Sequence, residues 1–219
     1  MITLKNCTFA AKGANNKDKV YGVALKGSED VKIEGCTFEN TGYAAIKNDS
    51  TGNVKVKDCT FNTSSVYNPY EGSITNKNGN VSIISSTFDG KPGNNIVNVY
   101  NQKDGSQVIL DKCTVTCGMA NNPIRISNVS NASFAVNVDN CSYSYNDTNE
   151  SEYTGFICLE DFTSKKGTKQ DFTKVSVNIN GLTKPENFKQ YFYVYEDDKG
   201  IITGEGNDPV VYVDGTKLS

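Results

Sequence analysis

One motif, of the form V-x-V/I-x-x-C-x-F, recurs down the whole chain and leaves little choice of architecture. It begins at Ile2 (ITLKNCTF), Val31 (VKIEGCTF), Val54 (VKVKDCTF), Val81 (VSIISSTF), Val108 (VILDKCTV) and Val136 (VNVDNCSY). Weaker copies begin at Val177 (VNINGLT) and Val211 (VYVDGTKL). Successive starts lie 29, 23, 27, 27, 28, 41 and 34 residues apart. A period in the twenties, rich in β-branched residues and without helical spacing, marks a one-dimensional stack of short strands.

Each copy reads as strand, corner, strand. In the second, Val31 and Ile33 alternate with Lys32 and Glu34, so one face is apolar and the other wet. Gly35 then breaks the alternation, and Cys36 and Phe38 restart it pointing inward. The breaking position is filled by Asn6, Gly35, Asp58, Ser85, Lys112, Asn140, Gly181 and Gly215, mostly residues that tolerate a left-handed backbone. A third apolar stretch follows in each period: Tyr21–Leu25, Ala44–Ile46, Gly72–Ile74, Asn95–Val97, Pro123–Ile126, Gly155–Ile157 and Tyr193–Tyr195. Three short strands per turn of roughly 25 residues is the geometry of a parallel β-helix. Its core is expected to hold two stacked rows, Cys7, Cys36, Cys59, Ser86, Cys113, Cys141 and Phe9, Phe38, Phe61, Phe88, Val115, Tyr143.

The motif, with Asn or Gly before the cysteine, resembles the right-handed parallel β-helix, or pectate-lyase-like, superfamily over residues 2–218. The resemblance implies an all-β, right-handed parallel β-helix solenoid of about eight coils, three short strands per coil, in a rod of about 40 Å. It speaks for fold rather than function, because that fold hosts lyases, glycosidases, adhesins and bacteriophage head or tail proteins. The chain reads as a single domain, 1–219. Its two longest gaps come last, so larger loop insertions are expected between about 142 and 209, with polar excursions at Ser142–Tyr153 and Thr163–Thr173.

A net charge of −3 and a sole arginine, Arg125, argue against nucleic acid as a partner. No apolar run is long enough to span a bilayer as a helix. The seven cysteines read as small buried hydrophobes in a reducing compartment, with Cys117 and Cys158, off the inward row, as the thiols expected to be exposed. With no histidine and no C-x-x-C spacing, neither a metal nor another cofactor is expected.

Candidate chemistry lies on the outward row Lys5, Glu34, Lys57, Ile84, Asp111, Asp139, Asn180, Asp214. The first three read as a surface charge ladder. Asp111 and Asp139, stacked carboxylates, suit proton sharing or cation binding, although aspartate before a corner is also a common turn former. The pectate-lyase resemblance implies an arginine or lysine base near an acidic cluster. Arg125 is the weak candidate for that base, expected to point outward without acids beside it. Glu160–Asp161 and Asp197–Asp198 read as solvated charges. Tyr67, Tyr70, Tyr191, Tyr193 and Tyr195 are the binding candidates, a platform for a sugar ring or a flat protein partner. Phe188, Phe192 and Val194 interleave with the last three, so one face is expected in the core and the other in solvent.

Both ends read as uncapped, with strand residues from Ile2 and Leu218 expected to point inward. With no secretory signal legible before Ile2, the expectation is a non-enzymatic virion structural protein. It resembles small bacteriophage β-helix proteins made in the host cytoplasm and carried on the particle as a capsid decoration or head or tail appendage. The expected partners are a capsid or tail protein, further copies of the chain (a trimer along the flanks) and a host glycan at the loops. The alternative is a polysaccharide lyase or hydrolase, or a tailspike-type glycan-binding β-helix, centred on Asp111, Asp139 and Arg125.

Overall fold

The computed structural model describes residues 1–10, 21–39, 41, 44–63, 72–90, 96–100, 102–119, 122–127, 130–161, 170–196, 199–204 and 206–218. Within these the secondary structure is strand and turn, in three sheets of stacked, mainly parallel strands. The first sheet runs β1 (Ile2–Lys5), β4 (Val31–Glu34), β7 (Val54–Lys57), β10 (Val81–Ile84), β13 (Gln107–Asp111), β16 (Phe134–Asp139), β19 (Val175–Asn180) and β22 (Val210–Val213). The second runs β2 (Thr8–Ala10), β5 (Thr37–Glu39), β8 (Thr60–Thr63), β11 (Thr87–Gly90), β14 (Thr114–Cys117) and β17 (Ser142–Tyr145). The third runs β3 (Val23–Leu25), β6 (Ile46–Asn48), β9 (Ile74–Lys77), β12 (Val97–Tyr100), β15 (Ile124–Ser127), β18 (Ile157–Asp161) and β20 (Phe192–Glu196). The chain visits the three sheets in turn, and each strand pairs with its counterpart about one period away: a solenoid of β-helix type.

The corners follow from backbone sterics. Every predicted breaking residue has positive φ, including Ser85 at 48° and Lys112 at 54°, where glycine is absent. In the first six copies the left-handed residue turns the chain from the first sheet into the second, and the next side chain points inward. That side chain is Cys or Ser for a reason. Its sulfur or hydroxyl accepts the backbone N–H of the same position one rung earlier: Cys36 N to Cys59 Sγ at 3.4 Å, Cys59 N to Ser86 Oγ at 3.2 Å, Cys113 N to Cys141 Sγ at 3.4 Å. Donors stranded by the corner are thereby satisfied inside the core.

Beneath the second sheet the phenylalanine row is a literal stack. Phe9, Phe38, Phe61 and Phe88 follow one another at 4.9, 4.8 and 4.5 Å with interplanar angles of 11°, 2° and 6°. Near-parallel rings at one strand spacing mean that these rungs translate with little rotation. Each such pair contributes about 0.5–1.5 kcal/mol beyond burial. Where the third sheet ends, a polar ladder replaces the apolar one. The Asn48 amide donates to Asn76 Oδ1 at 2.6 Å, the Asn76 amide to Gln102 Oε1 at 3.4 Å, and the Gln102 amide to the Asn76 carbonyl at 3.1 Å. All three residues are buried, and the ladder gives them partners.

Three expectations are corrected here. Cys117 and Cys158 are buried, at 0% and 6% exposure, and Cys7 in the first rung is the half-exposed thiol. Cys117 ends β14 pointing inward, and the outer face carrying Cys158 is itself covered. The Val211 copy is a hairpin, not a corner: Asp214 and Gly215 both have positive φ, and β23 (Thr216–Lys217) runs back antiparallel on β22. Leu218 is consequently 50% exposed instead of inward. Ser142–Tyr153, expected as a polar excursion, begins with strand β17, whose Tyr143 is buried as its place in the inward row requires. A second antiparallel strand, β21 (Gly200–Ile201), closes the last rung of the third sheet. Past β17 the second sheet continues, among the described residues, as an isolated bridge from Ser142 to Thr183 and not as a strand.

Candidate functional site

The two candidate carboxylates lie where the first sheet turns into the second. Asp111 and Asp139 are register partners at the ends of β13 and β16, directly before the left-handed Lys112 and Asn140. Their carbonyls accept the corner N–H groups of the preceding rungs, Ser85 N to Asp111 O and Lys112 N to Asp139 O, each at 2.9 Å. Asp139 Oδ1 also accepts the Asn180 amide at 2.9 Å, from the next rung. Both residues thus sit in turn geometry, and Asp139 belongs to an outward hydrogen-bonded ladder. Along this row Lys5 and Glu34 stand 3.9 Å apart, as the charge ladder expects, but the shorter contact to Glu34 comes from Lys32 at 2.7 Å and Lys57 pairs with Asp58 at 3.3 Å. The Lys32 hydrogen bond, helped by the charges of Lys5 and Lys57, holds the Glu34 carboxyl below the usual carboxylate range. Asp214, the predicted end of the row, instead occupies the β22–β23 turn.

Arg125 is on a different sheet from the aspartates. It projects from β15 on the outer face of the third sheet, and its guanidinium engages Glu160 Oε2 through both Nε and an Nη. Glu160, expected in solvent, is 3% exposed. The pairing follows from register: Arg125 lies opposite Cys158 on β18, and Glu160, two residues on, shares that face. Burial pushes the Cys158 thiol up, against the opposing influence of the Arg125 charge.

On the next rung Tyr193 is opposite Cys158 and 2% exposed, its hydroxyl donated to Asn122 Oδ1 at 2.8 Å. The Asn122 amide in turn donates to the carbonyls of Tyr153 and Gly155 at 3.1 and 3.0 Å. A Cβ at Gly155 would come within 3.0 Å of the Tyr193 ring, so glycine is what lets the backbone lie so close. The segment around 153–155 therefore covers this part of the outer face, and Arg125, Glu160, Cys158, Tyr193 and Asn122 form a buried polar seam.

Of the tyrosine candidates, Tyr67 and Tyr70 lie outside the described residues, as do Asp197 and Asp198. Tyr193 is removed from any platform by its burial. The Tyr191 hydroxyl accepts from Lys184 Nζ at 2.7 Å, and its ring packs on Phe188 at 4.9 Å. The half-buried Tyr195 meets the 37%-exposed Tyr153 edge-on, at 5.6 Å and 80°. Tyr191 with Phe188 and Tyr195 with Tyr153 are thus two edge-on pairs.

A groove of about 470 Å³ runs along the start of β13, β16 and β19, lined by Gln107, Phe134, Thr173, Lys174, Val175 and Val210 among others. Among the described residues lining it Lys174 is the titratable one, and it pairs with Asp171 at 3.6 Å. Among the described residues no three His, Cys, Asp or Glu side chains are grouped to hold a metal ion, and no helix is long and apolar enough to cross a membrane.

The V-x-V/I-x-x-C-x-F copies set the first two sheets in register but not the third, so they do not reveal the seam. Aligning the third apolar stretches, I-R-I-S on I-C-L-E, places Arg125 and Glu160 one rung apart on one face. Comparison with protein families, with curated proteins and with solved structures returns no match for this chain. Fold and seam together define an all-β solenoid of stacked parallel strands with a buried ionic clasp on one flank.

Proposed function

We propose that the three sheets wind as a right-handed parallel β-helix of about eight coils, one domain over 1–219. The right hand is supported by the strong preference of parallel crossover connections, and the coil number by the eight parallel strands of the first sheet. We further propose that the protein is a non-enzymatic structural component of a bacteriophage particle, a capsid decoration or a head or tail appendage that docks on a particle protein and presents loops outward. The observation that carries this reading is where the candidate side chains go. Arg125 is clasped by Glu160, Asp139 by Asn180, Tyr193 by Asn122 and Tyr191 by Lys184. Three of these pairs, those of Arg125, Asp139 and Tyr193, tie one rung to another, which supports a structural role for these groups.

The test is peptide mass spectrometry on density-gradient-purified particles from the viral fraction of the source. Recovery in fixed ratio to the major capsid protein is expected. A chain found only free, with turnover of an acidic polysaccharide that disappears in Asp111→Asn, would overturn the proposal in favour of a lyase or hydrolase.

One observation favours a second reading, a tailspike-type glycan-binding rod. Thr8, Thr37, Thr60, Thr87, Thr114 and Ser142 form an in-register outward column on the second sheet, with Glu39, Asn62 and Asp89 in the column beside it. Hydroxyls repeating once per rung beside carboxylate and amide groups suit a neutral extended glycan. A glycan-array signal that is lost in Thr60→Val/Thr87→Val would support it.

A further inference from the structure

The outer face of the first sheet carries a pattern in mid-rod that the stacking of its strands does not require. Where β7, β10 and β13 lie side by side, Lys55, Ser82 and Ile109 form one outward column and Lys57, Ile84 and Asp111 the next. Along the rod the face therefore passes from lysine through isoleucine to aspartate. Ile84 and Ile109 sit on the diagonal between adjacent strands, within side-chain reach of each other and only half-buried. Tight corners frame this stretch: Asn78–Asn80 lead into β10 and Ser85–Ser86 lead out of it.

The charges at its centre are not spent within the chain. Lys32 and Lys55 are register partners, like charges one rung apart. Lys32 turns to Glu34 at 2.7 Å and Lys57 to its chain neighbour Asp58 at 3.3 Å. The exposed Lys55 makes no ion pair among the described residues, and neither does Asp111.

We infer that two copies of this chain pair through this face, rods side by side and antiparallel, about a two-fold axis that lies along β10 between the packed sheets. This goes beyond the particle reading, because the pairing does not depend on what else the rod docks on.

Such an axis exchanges the rungs on either side of β10 and keeps each outward column opposite itself. Ile84 meets Ile84 and Ser82 meets Ser82, with the sheets about 10 Å apart. Lys55 falls opposite Ile109 of the other copy, so that its stem covers that side chain while its amine reaches the neighbouring Asp111. The symmetry makes two such clusters, one on each side of an apolar centre. An isologous patch must be complementary to its own reverse, and the order lysine, isoleucine, aspartate meets that condition. Farther out Glu34 falls opposite Asp139, each already held within its own chain, by Lys32 and by Asn180, so those rungs add little. At about 4.8 Å per rung and about 13 Å of strand, the overlapping rungs give roughly 450 Å² from each copy, the size of a weak, reversible pairing.

The experiment is sedimentation velocity with small-angle scattering on the purified chain over a wide concentration range. The expected result is a concentration-dependent dimer whose cross-section thickens with little added length. Lys55→Glu and Asp111→Lys, each alone, put like charges into both clusters and should weaken the pairing by about tenfold or more. Mixed one to one, the two variants restore opposite charges in both clusters, and a heterodimer of parental affinity is expected. Mixing cannot repair a misfolded chain, so the mixture separates lost charge from lost fold. A monomer at all concentrations, a dimer that lengthens without thickening, or a mixture that associates no better than its components would each overturn the inference. Recovery on purified particles is measured on its own, so the particle reading can fail while the pairing stands, and the reverse.

Discussion

Lys112 shows how far this fold subordinates residue preference to geometry. A lysine held at φ 54° forgoes the ordinary backbone basins because the corner between β13 and β14 needs that rotation. Lys112→Gly removes the Cβ clash while adding backbone entropy to the unfolded chain. The net expectation is a gain of about 0.5–1 kcal/mol, read as a raised denaturation midpoint. The inward thiols make a second prediction. Burial raises the Cys59 thiol to about 11 and the Cys117 thiol to about 12, from an ordinary 9.0. Above pH 9 the unfolded chain releases those protons while the folded chain keeps them, so their contribution is full below 9 and lost as pH climbs toward 11 and 12. Thermal melts under reducing conditions should fall across that window, and Cys59→Ser should flatten the fall.

The elements divide sharply in how much of them could be read in advance. Most strands of the first two sheets are legible, because Val-x-Ile, a left-handed corner and Cys-x-Phe each impose their own local rule; β17, which opens a stretch expected as a polar excursion, and the β22–β23 hairpin are the exceptions. Even Ser85 and Lys112, poor left-handed residues, were located by the period. The third-sheet strands were visible only as apolar stretches. Their outward faces escaped because alternation says which side a residue takes, not whether another segment lies over that side. Arg125, Glu160 and Tyr193 therefore passed for solvent-facing groups. The clasp between β15 and β18 can be tested directly. Glu160→Ala leaves a largely buried guanidinium without its carboxylate and should destabilise by about 3–5 kcal/mol in chemical denaturation. Arg125→Met combined with Glu160→Leu should recover most of that loss. A purely exposed pair would show less than about 1 kcal/mol in either experiment.

Across the whole molecule, stability is a sum over neighbouring rungs, so position along the rod matters as much as residue type. Phe61 is sandwiched between Phe38 and Phe88 and is fully buried, while Phe9 has a ring on one side and partial exposure. Phe61→Ala should lower stability by about 3–5 kcal/mol, and Phe9→Ala by clearly less, in paired urea titrations. Equal losses would overturn the claim that position along the rod sets the cost.

The turn in which the second sheet runs out has a mechanical meaning. Backbone hydrogen bonds in all three sheets link rung to rung, so tension between the two ends loads three ladders side by side through most of the length. Past β17 that load passes through two sheets and the single bridge between Ser142 and Thr183. The molecule is a stiff strut with a fuse beyond β17, and under strain it should yield there first, letting go of its last rungs before the stacked rings of the shaft feel the pull.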